Sequence, residues 1–281
     1  MDRWFPFFAI FMTAFASLAA QLEEREVEYS DGSSTLRGFL AYDASREGLR
    51  PGVLVVHEWW GLNEYARSRA RELAKEGYVA LAVDMYGDGK TAAHPNEAGA
   101  FASEVLKNKR TAVSRFRAAR AFLEQQTVTD PARIAAIGYC FGGAVVLHMA
   151  RIGEDLKAAA SFHGSLATDT PARAGEVRAR VLVYHGGADP LIPQRDLEAF
   201  EREMRQAGAD YRLTVYPGAK HSFTVPDADA KAAEFGLPIA YDPAADAASW
   251  ADLLAHLREV FGIGTSAAEN PAPSENPAPG G

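Results

Sequence analysis

The sequence predicts an α/β protein: a mostly parallel, doubly wound sheet of about eight strands with helices on both faces. Short, nearly continuous apolar runs, typical of strands buried on both faces, alternate with amphipathic runs typical of helices. No helical run separates the first two strands, so they are expected to form an antiparallel edge. The predicted strands are 26–29, 36–42, 53–56, 79–83, 134–139, 158–162, 181–184 and 212–216, and the predicted helices are 63–75, 96–124, 142–152, 194–206 and 244–261.

The two ends of the chain do not look like parts of this domain. Residues 1–20 carry an apolar stretch after Arg3 and end in small residues, which predicts a secretory signal peptide and an exported protein, periplasmic or secreted. Because Asp2 offsets the charge of Arg3, a retained N-terminal anchor is the alternative. Residues 264–281 form a Pro/Ala-rich tail that is expected to be disordered. Residues 21–263 are left, a usual length for one α/β domain.

Composition narrows the classes of partner. A net charge of -8 disfavours nucleic acid and anionic membranes, and no stable membrane association is expected after signal cleavage. The single cysteine excludes an intramolecular disulfide. Histidines and carboxylates show no convincing metal spacing, so we expect no metal and no cofactor. A monomer is favoured, although the sequence does not fix the oligomeric state.

The single cysteine lies in a strand–turn–helix context. Cys140 is the centre of Gly138-Tyr139-Cys140-Phe141-Gly142, between the predicted strand 134–139 and the predicted helix 142–152. Glycines on both sides suit the cramped turn of a nucleophile elbow. Taken alone, Cys140 could equally be a small buried residue at a strand end.

An acid and a histidine follow Cys140 in the order expected of a catalytic triad. Asp189 lies on a glycine-containing loop after the predicted strand 181–184, and His221 lies on the loop after 212–216. Alone, Asp189 could be a helix cap and His221 an ordinary loop residue. The order nucleophile, acid, base favours a triad of Cys140, Asp189 and His221. Of the other histidines, His185 is expected to be a neighbour of the acid, His57 and His163 to line the same upper face of the sheet, and His148 and His256 to be packing residues.

Several segments together resemble the dienelactone hydrolase family of the α/β-hydrolase superfamily. The resemblance runs from about residue 27 to about residue 262. It implies the α/β-hydrolase fold and a small ester or lactone as substrate. The segments that carry it are Val56-His57-Glu58-Trp59-Trp60-Gly61-Leu62, Val83-Asp84-Met85-Tyr86, the Cys140 elbow through Gly143, His185-Gly186-Gly187-Ala188-Asp189 and His221-Ser222-Phe223.

The resemblance also assigns roles to residues around the triad. It implies that Glu58 takes the proton of the thiol when substrate binds; the alternative is a solvated carboxylate at a strand end. A thiolate formed only when needed is less prone to oxidation. The backbone N–H groups of Phe141 and Trp59 are expected to form the oxyanion hole. Substrate-binding roles are expected for Trp60, Tyr86, Ser222 and Phe223.

The sequence departs from the family where the family binds the substrate carboxylate. Two arginines do this in related enzymes, and neither is present here. The first region, 85–90, has Asp88 and Lys90 instead, and the second, 221–226, has no arginine. We therefore expect the catalytic machinery to be shared and the substrate to differ. The predicted function is hydrolysis of a small ester or lactone through an acyl-enzyme thioester. The alternative is a non-hydrolytic electrophile-binding or redox-responsive thiol protein, and a peptidase is disfavoured because no additional domain could select peptides.

Overall fold

A computed structural model describes residues 20–263. The predicted tail 264–281 lies outside these residues, as does the predicted signal peptide apart from Ala20. Within 20–263, no helix combines the length and apolarity needed to cross a membrane.

Eight strands form one sheet in the order β1-β2-β4-β3-β5-β6-β7-β8. The strands from β3 onward pair in parallel, whereas β1 pairs antiparallel with β2 and β2 antiparallel with β4. The predicted antiparallel edge and mostly parallel sheet are confirmed. The strands are β1 (Leu22–Ser30), β2 (Thr35–Asp43), β3 (Arg50–Val56), β4 (Val79–Val83), β5 (Thr129–Tyr139), β6 (Ala158–Phe162), β7 (Arg180–Gly186) and β8 (Tyr211–Tyr216).

Helices cover both faces of the sheet and divide the core into two layers. One layer packs α2 to α5 against the sheet, and the other packs α1 and α7 against the opposite face. The central strands are buried on both sides, which explains their continuous apolar sequences. The helices are α1 (Glu64–Lys75), α2 (Pro95–Lys107), α3 (Lys109–Glu124), α4 (Phe141–Arg151), α5 (Gln194–Ala207), α6 (Ala228–Phe235) and α7 (Pro243–Val260).

Two helix predictions are wrong. The single helix expected at 96–124 is two helices, because Asn108 adopts φ -104° and ψ 77°, outside the helical region. Its side chain accepts a hydrogen bond from the Thr111 N–H and so begins α3. The second error is the omission of α6, in which only Ala228 is buried, so that its sequence shows no apolar stripe.

The parallel strands bring the predicted site residues to one edge of the sheet. Cys140 follows β5, Asp189 and His221 follow β7 and β8, and Glu58 follows β3. Since the carboxyl ends of parallel strands share an edge, residues far apart in sequence lie there together.

Candidate active site

Cys140 occupies a strained elbow between β5 and α4. Its backbone has φ 51° and ψ -112°, and its N–H donates to the Phe162 carbonyl at 3.0 Å. The chain is too crowded here for side chains on either flank. A Cβ on Gly138 would lie 2.1 Å from the Gly142 carbonyl oxygen, and one on Gly142 would lie 2.3 Å from the Val56 carbonyl oxygen. The turn therefore requires both glycines, and it leaves Cys140 partly exposed.

The imidazole of His221 is bonded to the Asp189 carboxylate. His221 Nδ1 lies 2.8 Å from Asp189 Oδ2, and both side chains are buried. The other carboxylate oxygen of Asp189 accepts from the Leu191 N–H at 2.8 Å, which fixes its orientation. Burial disfavours a charge on the ring, but the charge of Cys140 and the hydrogen bond to Asp189 favour it more strongly, and the pKa of His221 is raised to about 10.

Glu58 is buried, and its carboxylate is held by Ser222, the residue that follows His221. Ser222 Oγ donates to Glu58 Oε1 at 2.9 Å, and Ser222 has a left-handed backbone with φ 57°. Burial raises the pKa of Glu58, and this is opposed in part by the Ser222 hydrogen bond and the charge of His221. The alternative of a solvated carboxylate at this position does not hold, since Glu58 is only 3% exposed.

The Tyr86 hydroxyl lies near both Glu58 and Cys140. Its hydroxyl donates to the Trp59 carbonyl at 2.9 Å. Burial, and then the charges of Cys140 and Glu58, raise its pKa, so the phenol stays protonated and remains a donor. The hydroxyl thus lies in the field of both groups and fixes the carbonyl of the turn that follows Glu58.

Two backbone N–H groups near the thiol are available to a ligand. Phe141 is the first residue of α4, and Trp59 lies in the turn after β3. Neither N–H donates a hydrogen bond within residues 20–263. The amino end of α4 adds the positive end of a helix dipole. This arrangement suits an oxyanion.

His57 holds the turn after β3 to the turn after β4. Its Nδ1 bonds the Glu58 carbonyl oxygen, and its Nε2 accepts from the Met85 N–H at 3.3 Å. The ring packs against Tyr86 and Phe141, at 4.8 and 5.7 Å between centroids. Burial lowers the pKa of His57 to about 4. His57 is therefore a neutral ring that joins these two turns.

Of the expected substrate contacts, Trp60 lines a cavity and Phe223 does not. Trp60 forms a cavity of about 380 Å³ together with Phe235 and Lys231, and Lys231 Nζ lies 5.2 Å from a Trp60 ring centroid. Phe223 is fully buried and packs on Tyr216 and His163, so its side chain is not exposed to a ligand in this structure. Ser222 contacts Glu58, as described above.

Lys231 was not identified from the sequence. It lies on α6, which shows no apolar periodicity, and it approaches Trp60 only in the folded chain.

Within the described part of the chain, no three His, Cys, Asp or Glu side chains are arranged to hold a metal ion.

The chain was compared with known families, proteins and structures. Residues 36–261 match the model of the dienelactone hydrolase family. Protein usf of Aquifex pyrophilus is 30% identical over 203 residues, which are 70% of this chain and 85% of that protein.

Solved structures give the same result. The structure titled m3DLH is 38% identical with a TM-score of 0.80, and a dienelactone hydrolase-like promiscuous phosphotriesterase from metagenomic libraries is 34% identical with a TM-score of 0.78. Each alignment covers 85% of this chain and 98% of the other. The predicted α/β-hydrolase fold is thus confirmed. The chain belongs to the dienelactone hydrolase family and is a hydrolase of the class that acts on esters and lactones.

Proposed function

We propose that the protein hydrolyses a small ester or lactone through Cys140, His221 and Asp189, with a thioester intermediate. One observation carries the proposal. The ring of His221 is bonded to Asp189 at 2.8 Å on one nitrogen, and the charge of Cys140 acts on it. A base oriented by a carboxylate beside a thiol on an elbow is the arrangement of nucleophilic acyl transfer.

The chemical steps follow from the positions of these groups. The sulfur of Cys140 forms a bond to the acyl carbon while the carbonyl oxygen takes the negative charge. The Phe141 and Trp59 N–H groups stabilise that oxyanion, and each such donor contributes on the order of 3 kcal/mol. Protonated His221 then donates its proton to the leaving alkoxide as the carbon–oxygen bond breaks. His221 next removes a proton from the water that attacks the thioester carbon. The carbon–sulfur bond then breaks, which releases the acid and the Cys140 thiolate and leaves His221 protonated as at the start.

Glu58 is assigned the control of thiol ionisation. Its burial raises its pKa, so it is a better proton acceptor than a solvated carboxylate would be. Ser222 holds one of its oxygens, and Tyr86 lies near both Glu58 and Cys140. Ser222 therefore couples the position of Glu58 to the loop that carries His221.

The surroundings of the site favour a neutral substrate over a carboxylated lactone. Lys231, the cation near Trp60, is paired with Asp227 at 2.7 Å, so its charge is largely matched. Asp88 and Lys90, which stand where related enzymes have an arginine, have exposed side chains, at 62% and 52%. Aryl esters and neutral lactones are therefore the first substrates to test. Aryl phosphotriesters belong in the same screen, since a 34% identical structure is titled a promiscuous phosphotriesterase.

The test compares the wild type with Cys140→Ala and Cys140→Ser on aryl acetates and neutral lactones. Wild type should turn over many times, and both variants should lose about three or more orders of magnitude in kcat/KM. Mass spectrometry after rapid acid quench should show the acyl group on the peptide containing Cys140. Equal hydrolysis by Cys140→Ala would contradict the proposal. One equivalent of product with no further turnover would instead support the alternative of an electrophile-binding thiol.

We also propose that residues 1–20 direct export. Protein expressed in a Gram-negative host should be recovered from the periplasm and begin near residue 21. Intact residue 1 on cytoplasmic protein would contradict cleavage and export, and intact residue 1 on membrane-bound protein would favour the retained anchor.

A further inference from the structure

A buried hydrogen-bond chain lies beneath the loop of His221, and none of the steps above uses it. Thr224, three residues after His221, is fully buried. Its hydroxyl lies 2.6 Å from the Tyr65 hydroxyl and 2.8 Å from His163 Nε2. Arg69 Nε donates to the Tyr65 hydroxyl at 3.2 Å, and Arg69 Nη2 donates to the Thr224 carbonyl at 3.0 Å. A charged group thus sits at one end of this chain and a histidine at the other.

Arg69 is held firmly by carboxylates on two elements. Its side chain is only 7% exposed; it bonds Glu72 at 2.8 Å within α1 and pairs with Asp246 on α7. Both carboxylates accept from a guanidinium that has no lone pair to offer. Arg69 can therefore act only as a donor toward Tyr65.

Because Arg69 can only donate, it fixes the donor-to-acceptor direction of every hydrogen bond in this series. Because Tyr65 accepts from Arg69, its own proton is satisfied only if it points to Thr224. Thr224 then accepts from Tyr65 and donates to His163 Nε2, which must carry a lone pair. In the opposite direction, His163 Nε2 would donate to Thr224 and Thr224 to Tyr65. The Tyr65 proton would then have no acceptor, at a cost typical of an unmade buried hydrogen bond.

His163, the last residue in this series of hydrogen bonds, lies against His221, the proposed catalytic base. The ring of His163 is fully buried and meets the ring of His221 edge to face, with 5.2 Å between centroids. Within residues 20–263, its Nδ1 has no hydrogen-bond partner, whichever ring nitrogen carries the proton. The charged or titratable groups acting on His163 are His221, Arg69 and His185, and burial with their charges lowers its pKa far below the ordinary value. A proton on His163 would place a second positive charge beside the imidazolium that acyl transfer requires.

We propose that Arg69, Tyr65 and Thr224 are positioning residues that hold His163 neutral, with its proton on Nδ1, beneath His221. His163 then supports the catalytic ring without competing for its charge. The inference rests on the proposed role of His221. A purely structural reading, in which Arg69 only ties α1 to α7, predicts no link to the protonation of either histidine.

Histidine tautomers can be observed directly by long-range ¹H–¹⁵N correlation spectra of ¹⁵N-histidine-labelled protein, with His163→Gln used to assign the signals. In the wild type, His163 should be neutral with its proton on Nδ1 from pH 5 to pH 9. Thr224→Val should move the proton toward Nε2 or mix the two forms, and Thr224→Ser should restore the wild-type signals. A wild-type proton on Nε2, or spectra unchanged by Thr224→Val, would overturn the proposal.

A second readout follows the reactivity of Cys140 toward iodoacetamide as a function of pH. Thr224→Val and Tyr65→Phe should slow alkylation near neutral pH by about tenfold, since small displacements of a catalytic group cost one to two orders of magnitude. Thr224→Ser should recover most of the rate. Neither this measurement nor the spectra require turnover of an ester, so a failure of the proposed hydrolysis would leave them intact and distinguishable.

Arg151 provides a matched control for Arg69. Its side chain is 3% exposed, it pairs with Glu203 at 2.8 Å and it donates to the Leu166 carbonyl at 2.8 Å, but it does not contact the His221 loop. Arg69→Lys and Arg151→Lys should both lower the melting temperature. Only Arg69→Lys should also alter the His163 tautomer and the alkylation profile. Equal effects of the two variants on these readouts would contradict the positioning role.

Discussion

The loop after β3 and the loop after β8 each carry a buried histidine, and the two rings have opposite acid–base behaviour. His57 is fully buried and its pKa is lowered to about 4. His221 is 6% exposed and its pKa is raised to about 10. The two residues share one edge of the sheet and similar burial, so the depth of the ring does not explain the difference.

The partners of the two rings explain it. His57 bonds a backbone carbonyl and a backbone N–H, a pair that is matched best by a neutral ring with one donor and one acceptor. His221 faces the Asp189 carboxylate and the sulfur of Cys140, both of which favour a positive ring. Burial lowers the basicity of both histidines, and only an anionic partner reverses it. The histidine after β3 is therefore kept neutral, and the histidine after β8 is the one suited to the base of the proposed triad.

Removing the Asp189 carboxylate is the most direct way to abolish the difference in pKa between His221 and His57. Asp189→Asn should lower the pKa of His221 and reduce kcat/KM by about four orders of magnitude, as expected when a triad carboxylate is lost. The alkaline limb of the pH–rate profile should move to lower pH. The measurement is kcat/KM on an aryl ester between pH 5 and pH 10. A residual activity within tenfold of the wild type would mean that Asp189 is only a turn residue.

The neutral state of His57 should be seen in the pH dependence of the free energy of unfolding and not in the catalytic activity. Because its folded pKa is about 4 and its unfolded value about 6.5, the unfolded chain binds the proton first as the pH falls. The free energy of unfolding should therefore fall by ~3 kcal/mol between pH 7 and pH 4 on account of this one group. Urea unfolding at both pH values would show it. In His57→Gln this part of the acid sensitivity should be missing, and an unchanged pH dependence would argue against a neutral His57.

Of these substitutions, Ser222→Ala is expected to have the smallest effect on activity. Ser222→Ala removes a hydrogen bond that lowers the pKa of Glu58, so that pKa should rise further. We expect the acid limb of the rate profile to move to higher pH and the rate at pH 7 to fall roughly fivefold, the factor for about 1 kcal/mol. Ser114→Ala, which removes a hydroxyl bonded to the Asp31 carbonyl outside the site, is the control. Identical profiles for the two variants would exclude a role for the Ser222–Glu58 bond.

The sequence alone was sufficient for the sheet and for the glycine-flanked turn at Cys140. Buried parallel strands are apolar along their whole length, so the runs at 79–83 and 158–162 coincide with β4 and β6. The glycines around Cys140 report a local steric requirement that any chain with this turn must meet. Such features depend on neighbours in the sequence and are therefore visible in it.

Tertiary structure decided the features that depend on contacts between distant residues. Ser222 and Glu58 are 164 residues apart, and nothing in either segment indicates their hydrogen bond. Phe223 was expected to contact substrate, and in the folded chain its side chain packs into the core. Helix α6 likewise shows no apolar periodicity in its sequence. The hydrogen bonds that run from Arg69 through Tyr65 and Thr224 to His163 also leave no local sequence pattern. Which ring is charged and which is neutral depends on partners that only folding brings together, because the free energy of a buried charge is set by the groups around it.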